Sequence, residues 1–232
     1  MRVLSVDTAT RVLSVAVIEN RTLLAELTVN HGQTHSTHLM PAIDAVLEHC
    51  RLCFKQLDGF AVCVGPGSFT GLRIGLSTIK GLAFAVSKPI AAISALDALA
   101  YQFPCVSHTI CPMIDARKGE VYSAGYSFVA GELSQLWPAS VSTPEAAVGD
   151  ISAPRLFVGS GALLYRDRIS DIAGDLALFA SDGQDYIRAA TIAMLGHRLL
   201  ARQQGRPPSA LNPWYIRASD ATRRLSASAR KK

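Results

Sequence analysis

Apolar and polar positions along the first hundred residues predict three strands followed by alternating helices and strands. Leu23, Ala25, Leu27 and Val29 alternate with polar residues, as in a half-buried strand. Later apolar residues recur at helical spacing. The order is therefore βββαβ followed by a helix, a short strand and a further helix. We expect these elements at Val3–Ala9, Val12–Glu19, Leu23–Val29, about Ser36–Cys50, Phe60–Val64, about Phe69–Val86, Pro89–Ile93 and from Ala95.

A similar order begins again after Pro104. Gly159 follows the fourth strand of this second half, as Gly65 follows the fourth strand of the first. A Thr-Pro-Glu sequence at Thr143 is typical of a helix start. The predicted elements are strands at Thr109–Asp115, Val121–Val129, Gln135–Ser142, Arg155–Val158 and Leu176–Ala180, a helix after Gly159-Ser160-Gly161, and a long helix at Tyr186–Gln204.

The repeated order predicts two βββαβα lobes that face a cleft. Asp7 and Asp115 each end the first strand of their half. We divide the chain into an N-terminal lobe, residues 1–104, and a C-terminal lobe with a basic tail, residues 105–232. The chain end has a second option, which is to pack back on the first lobe.

A glycine-rich turn, Gly65–Gly75, connects the strand at Phe60–Val64 to a helix whose predicted N-cap is Ser68. Its sequence, GPGSFTGLRIG, does not have the spacing of a dinucleotide fingerprint, a Walker A loop or a nucleophile elbow. Two interpretations remain open. The free N–H groups at the helix start form an anion site, or the glycines serve a tight turn with close packing.

The helix after this turn has two faces. One consists of small residues, Gly71, Gly75 and Thr78, and permits another element to approach closely. Since a glycine inside a helix costs about 1 kcal/mol relative to alanine, these positions require a compensating contact. That contact is with a neighbour in the same chain or with a partner subunit. The opposite face, which we expect to pack on the sheet, consists of Leu72, Leu76, Ile79, Ala83 and Val86.

Composition indicates a globular protein. The 232 residues are 49% hydrophobic and 18% charged, which suffices for a large core. No apolar run is long enough for a transmembrane helix, and Asp7 interrupts the stretch where a secretion signal would need its apolar region. Five cysteines without a dense pattern are typical of reduced thiols, so we expect a cytoplasmic protein.

The net charge of +5 is concentrated at the end of the chain. From Gly205 to Lys232 there are seven basic residues and one acid, so the remainder is about neutral. A basic tail binds nucleic acid through counterion release, or it serves as a solubilising end.

Candidate metal and catalytic groups are weak. His35-x-x-His38 and Cys50-x-x-Cys53 have zinc-like spacing, but a helix between them would separate the pairs by about 20 Å. Asp7 has two interpretations, a ligand of a hydrated cation or phosphate and the acceptor in a local turn. No nucleophile, base and orienting group form a convincing set.

Four motifs together resemble the TsaB family, also called YeaZ. They are Asp7–Thr10, the Gly65–Gly75 turn, Asp115–Tyr122 and Pro213–Arg217, and they occur in family order across nearly the whole chain. The resemblance implies the α/β ASKHA fold of actin, hexokinase and Hsp70, with two duplicated RNase H-like lobes and mixed sheets.

The resemblance also implies a function. TsaB is the non-catalytic subunit of a complex that forms N6-threonylcarbamoyladenosine at position 37 of tRNAs reading ANN codons. It pairs with the transferase TsaD through helices of the N-terminal lobe, and the ATPase TsaE joins that pair; the same helices also support a homodimer. No cofactor, metal or membrane is implied. The metal-binding histidines of TsaD lie on a helix that TsaB lacks, so His31, His35 and His38 are not equivalent to them.

Site residues follow from the family motifs. A bulky residue at Gly75 is expected to abolish pairing with TsaD and leave the monomer folded. The expected partner-binding residues are His38, Leu39, Ile43, Gly71, Arg73, Gly75 and Thr78. The residues of a degenerate nucleotide cleft are Asp7, Thr8, Thr10, Asp115, Gly159 and Gly161.

Two alternatives remain. An ATPase or phosphotransferase active on its own would use Asp7 and Asp115 around Mg²⁺-ATP. Direct tRNA binding would use the basic segment Arg223–Lys232 and would depend steeply on salt.

Overall fold

Two five-stranded mixed sheets form the framework of the computed structural model, which describes residues 1–30, 32 and 34–217. The first sheet has the order β3-β2-β1-β4-β5 and the second the order β10-β9-β6-β7-β8. The strands are β1 Arg2–Asp7, β2 Leu13–Glu19, β3 Thr22–Val29, β4 Gly59–Gly65, β5 Ile90–Ser94, β6 Thr109–Arg117, β7 Glu120–Val129, β8 Glu132–Ser142, β9 Arg155–Val158 and β10 Ala177–Phe179.

The two sheets have the same topology. In each, the first three strands are antiparallel neighbours, and the fourth and fifth are added in parallel beside the first. Read in reverse, the second sheet repeats the order of the first. The duplication predicted from the sequence is therefore confirmed, as are the mixed sheets.

The described residues contain seven α-helices, six between strands and α7 after the last strand. Their order agrees with the prediction, except that α6 was not predicted and α7 is shorter at both ends than expected. Ser68 is the N-cap of α2, as predicted, and its hydroxyl accepts a hydrogen bond from Gly71 N. The helices are α1 His35–His49, α2 Phe69–Ala85, α3 Ala95–Ala100, α4 Pro144–Val148, α5 Ser160–Leu164, α6 Arg166–Ala173 and α7 Ala189–Ala201.

The helices and sheets form alternating layers. Helices α1 and α2 cover one face of the first sheet, with Leu39, Ile43 and Ile79 in that core. A second core lies between the sheets, where α3 and α7 pack. Helices α4, α5 and α6 cover the outer face of the second sheet. Alternating side chains of each strand enter cores on opposite sides, as in Val3 and Leu4.

Helix α7 packs on the first sheet, although it comes late in the chain. Ser5 and Ser14 are buried on that sheet and bond the start of the helix: Ser14 Oγ accepts from Ala189 N at 2.9 Å, and Ser5 Oγ donates to Ala189 O at 2.6 Å. The domain division after residue 104 stays a prediction, because the first sheet and this late helix share one core.

Glu26 on β3 also anchors α7. Its carboxylate accepts a hydrogen bond from Ala190 N at 2.9 Å and pairs with Arg188, and its side chain is 9% exposed. Replacing Glu26 by alanine is expected to lower the free energy of unfolding by about 1–3 kcal/mol, because a partly buried helix-start N–H loses its acceptor. Urea denaturation measures this change. The matched control is Glu132→Ala, whose 65%-exposed carboxylate pairs with Arg198; less than about 1 kcal/mol is expected there. Equal losses in the two variants would contradict the anchoring role.

Candidate functional site

Asp7 is the last residue of β1, the central strand of the first sheet. The residue is completely buried. Its Oδ1 accepts a hydrogen bond from Ala9 N at 3.1 Å, the local turn considered in the sequence analysis. Its Oδ2 has no hydrogen-bond partner among the described residues. The carboxylate is therefore held inside the chain and is not presented to a ligand.

The environment of Asp7 disfavours charge. Burial raises the pKa of Asp7 to about 7, against smaller lowering effects of the hydrogen bond from Ala9 N and of the neighbouring Cys63 thiol and Thr8 N. Cys63, also buried, lies on β4 beside it; burial raises the pKa of the Cys63 thiol well above its usual range, and the Asp7 charge raises it further. Cys63 carries no motif and was missed in the sequence analysis.

Thr8 explains the glycines of α2. Its Oγ1 donates a hydrogen bond to Gly71 O at 2.8 Å. A Cβ on Gly71 would lie less than 3.0 Å from Thr8 O, and one on Gly75 less than 3.0 Å from Thr8 Oγ1. The close contact that the small-residue face permits is therefore made within the chain. For the same reason, a bulky residue at Gly75 would disturb the fold of the subunit, which corrects the expectation of an intact monomer.

The glycine-rich turn likewise packs against another part of the chain, the β1–β2 turn. Ser68 N donates to Ala9 O at 2.7 Å, and a Cβ on Gly67 would collide with Ala9. At the far side of the β1–β2 turn, Thr10 O bonds His35 Nε2 at 2.8 Å. Of the two interpretations of this turn, close packing agrees with these contacts.

The glycines of the second half serve close packing as well. Gly159 has a φ of +107°, and its N–H donates to Asp185 Oδ1 at 2.8 Å. A Cβ at this position would lie 2.5 Å from Met113 O, and one at Gly161 would lie 2.9 Å from Val121 Cγ1. Both glycines let the short helix α5 approach β6, so the space beside each glycine is filled by atoms of the chain itself.

Asp115 is engaged in the β6–β7 hairpin. Its Oδ1 accepts from Arg117 N at 2.8 Å, and its own N–H donates to Ser160 Oγ at 3.2 Å. Arg117 and Lys118 both have positive φ, which the tight connection requires. Ser160 was not singled out in the sequence analysis, although it follows a glycine after the fourth strand as the pattern of the first half would suggest.

The predicted partner-binding residues are divided by burial. Four of them are buried within the subunit and are not available for direct contact with a partner: Leu39, Ile43, Gly71 and Gly75. This corrects their assignment as contact residues: the apolar members face the sheet and the glycines face Thr8. Arg73 is exposed and His38 and Thr78 are half-buried, and a role for these three in partner binding stays a prediction.

Comparison with known proteins decides the family. The model described as TsaD, tRNA N6-adenosine threonylcarbamoyltransferase, matches residues 23–221. A Bacillus subtilis protein named tRNA threonylcarbamoyladenosine biosynthesis protein TsaB is 30% identical over 95% of this chain and 96% of its own. A Haemophilus influenzae protein of the same name is 33% identical over 84% and 90%.

The chain belongs to the TsaB family. YeaZ from Pseudomonas aeruginosa superimposes with a TM-score of 0.80 at 28% identity, over 92% of this chain and 99% of that structure. Component A of (R)-2-hydroxyglutaryl-CoA dehydratase from Acidaminococcus fermentans has a TM-score of 0.55 at 11% identity, over 87% of this chain and 99% of that structure, and shares the fold alone. The resemblance to TsaB and the ASKHA fold are therefore confirmed.

Two further observations concern the described residues only. Within them, no group of three or more His, Cys, Asp or Glu side chains is close enough to hold a metal ion. None of the helices there is both long and apolar enough to cross a membrane. His31 and the basic segment Arg223–Lys232 lie outside the described residues.

Proposed function

We propose that this member of the TsaB family is a non-catalytic scaffold subunit of the machinery that forms N6-threonylcarbamoyladenosine at position 37 of tRNAs reading ANN codons. Two findings support this proposal: the 30–33% sequence identity with relatives named for threonylcarbamoyladenosine biosynthesis, and the match to the TsaD family model over residues 23–221. Its partner is the TsaD-type transferase of the same organism, and a TsaE-type ATPase joins the pair.

The main observation in support of pairing with the TsaD-type transferase is an exposed stripe of residues on α2. Five residues at helical spacing point away from the sheet. Phe84 is 79% exposed, more than any other large apolar side chain among the described residues. A phenylalanine in that position is unfavourable in water and favourable in an interface. The docking stripe consists of Thr70, Arg73, Ser77, Gly81 and Phe84.

Helix α1 extends this surface, because it packs beside α2 on the same face of the sheet. Its outward residues recur at the same helical spacing, and Met40 adds a second exposed apolar side chain. Two neighbouring helical stripes form a surface suited to helix packing with the transferase or with a second copy of this chain. The exposed stripe of α1 consists of Thr37, Met40, Asp44 and Glu48.

The alternative of an ATPase or phosphotransferase active on its own is not favoured by the cleft. Such chemistry needs Asp7 and Asp115 to face a shared Mg²⁺-ATP. Asp7 is fully buried, and Asp115 is bonded within its own hairpin. The glycines that would approach phosphate are in contact with their own chain. A scaffold role requires none of these groups.

Phe84→Asp tests the proposal. Placing a charge on the most exposed apolar residue of the docking stripe is expected to weaken binding to the TsaD-type transferase at least about 30-fold, the effect of losing a hot-spot residue. Thermal unfolding is expected to be unchanged, since Phe84 is largely in water already. Binding is measured by isothermal titration calorimetry, and modification by a tRNA assay with all three subunits.

Leu164→Asp is the matched control. Leu164 is 58% exposed on α5, on the outer side of the second sheet. It undergoes the same apolar-to-acid change away from α2, and unaltered binding is expected. Wild-type affinity of the Phe84→Asp variant would exclude the docking stripe, and threonylcarbamoyl transfer by this chain alone would exclude the scaffold role.

A further inference from the structure

A short segment near the end of the described chain, residues 211–217, is fixed to the first sheet. Leu211 is buried, and its carbonyl accepts a hydrogen bond from Lys80 Nζ at 3.1 Å. Trp214 N donates to Val64 O at 2.7 Å. Gly65 has a φ of +116°, and a Cβ there would lie 2.8 Å from Trp214 O. The segment therefore covers the carboxyl end of β4, directly beside the strand that ends in Asp7.

Three residues later the same segment is bonded to the second sheet. The Arg217 guanidinium pairs with the Glu120 carboxylate and donates to Ala116 O, both in the β6–β7 hairpin. Its side chain is only 11% exposed. Ile216 packs against the core between the sheets. Pro213–Arg217 thus spans the two sheets at the ends of their strands, where an open α/β sheet binds ligands.

The middle of the segment contacts α2. The Tyr215 ring stacks on Phe69 with centroids 5.0 Å apart, and its hydroxyl accepts from Arg73 Nε at 3.2 Å. The Arg73 guanidinium lies 4.0 Å from the Phe69 ring centroid. All three side chains are exposed, and Arg73 belongs to the docking stripe. The contacts that hold the segment are therefore continuous with the proposed interface.

We propose that Pro213–Arg217 is an interlobe latch coupled to the docking stripe: a protein docked on α2 covers the Phe69, Arg73 and Tyr215 contacts and holds the two sheets closed over Asp7. This inference rests on the proposed function. Covering these contacts excludes water, which strengthens their electrostatic part. Coupling is reciprocal, so weakening the latch at its far end must weaken docking.

The test acts on the far end, away from α2. Arg217→Met and Glu120→Gln each remove one partner of the same ion pair, one from the latch and one from the hairpin. Each is expected to reduce affinity for the TsaD-type transferase about 10-fold, and the double variant no further than either alone. The matched control is Arg202→Met, an exposed arginine just after α7, for which unchanged affinity is expected.

Hydrogen–deuterium exchange of the full chain, with and without the transferase, supplies the second measurement. The transferase is expected to slow exchange at residues 214–217 and 116–120, although the hairpin lies outside the docking stripe. This comparison uses the unmodified protein and decides the matter even if a variant fails to fold.

The outcomes separate the two proposals. A wild-type chain that does not bind the transferase overturns the proposed function. Binding with unchanged exchange at residues 116–120, or with equal affinity in the ion-pair variants, overturns the latch and leaves the scaffold role intact.

Discussion

Gly71→Ala is expected to destabilise the protein by about 3 kcal/mol or more. The new Cβ would lie less than 3.0 Å from the carbonyl oxygen of Thr8. That oxygen belongs to the main chain between β1 and β2, and it has little freedom to move away. Overpacking against such a group forces a shift of the turn or of α2. Urea denaturation, followed by circular dichroism, measures the change.

Gly81→Ala is the matched control on the same helix. Apart from its chain neighbours and the backbone of its own helix, no atom lies within 4 Å of the position where its Cβ would be, and the residue is exposed. Alanine is expected to stabilise the helix there by up to about 1 kcal/mol, the ordinary difference in helix propensity. Opposite signs at two glycines of one helix would establish that contact with Thr8, rather than propensity, requires Gly71. Stabilisation by both substitutions would contradict that contact.

Asp7→Asn is expected to change how stability depends on pH. Because the pKa of Asp7 is about 7 in the folded chain and 3.8 in the reference state, the folded protein holds a proton that the unfolded chain has released between these values. The contribution of Asp7 to stability is therefore greatest below about pH 4 and decreases until about pH 7. Asparagine has no such proton, so the stability of the variant increases relative to that of the wild type as the pH rises.

The free energy of unfolding of Asp7→Asn is expected to increase relative to that of the wild type by at most about 4 kcal/mol between pH 4 and pH 8. This limit follows from the pKa difference of Asp7 at about 1.4 kcal/mol per pKa unit. Urea denaturation at several pH values gives the difference between the two proteins. Asp44→Asn, at an exposed position of α1, is the control and is expected to follow the wild type closely. Parallel curves for the wild type and Asp7→Asn would mean that Asp7 titrates as in water.

The strands and most helices were predictable because local patterns determine them. Alternation at Leu23–Val29 and helical spacing at Phe69–Val86 report an apolar face directly. The first and fourth strands of each half were placed within one or two residues. Helix α6, Arg166–Ala173, was missed because its low content of apolar residues gives a weak pattern; Ile169 and Ala173 are its buried members.

The candidate site was less predictable. A stripe of glycines shows that something approaches α2, but the pattern does not show which element does so. A partner subunit and Thr8 fit the same sequence, and only the fold brings Thr8 to Gly71. Similarly, nothing local to Asp7 shows that its carboxylate is buried, because the burial comes from β4 and the glycine-rich turn.

By itself, the sequence determined the order of elements, the duplication, the family motifs and the sheet-facing side of α2. All of these depend on residues close together in the chain. The tertiary structure decided that the glycines serve Thr8, that Asp7 is enclosed, and that Trp214 meets Val64 while Arg217 meets Glu120. Those contacts join residues far apart in the chain, and periodicity identifies a face without identifying what packs against it.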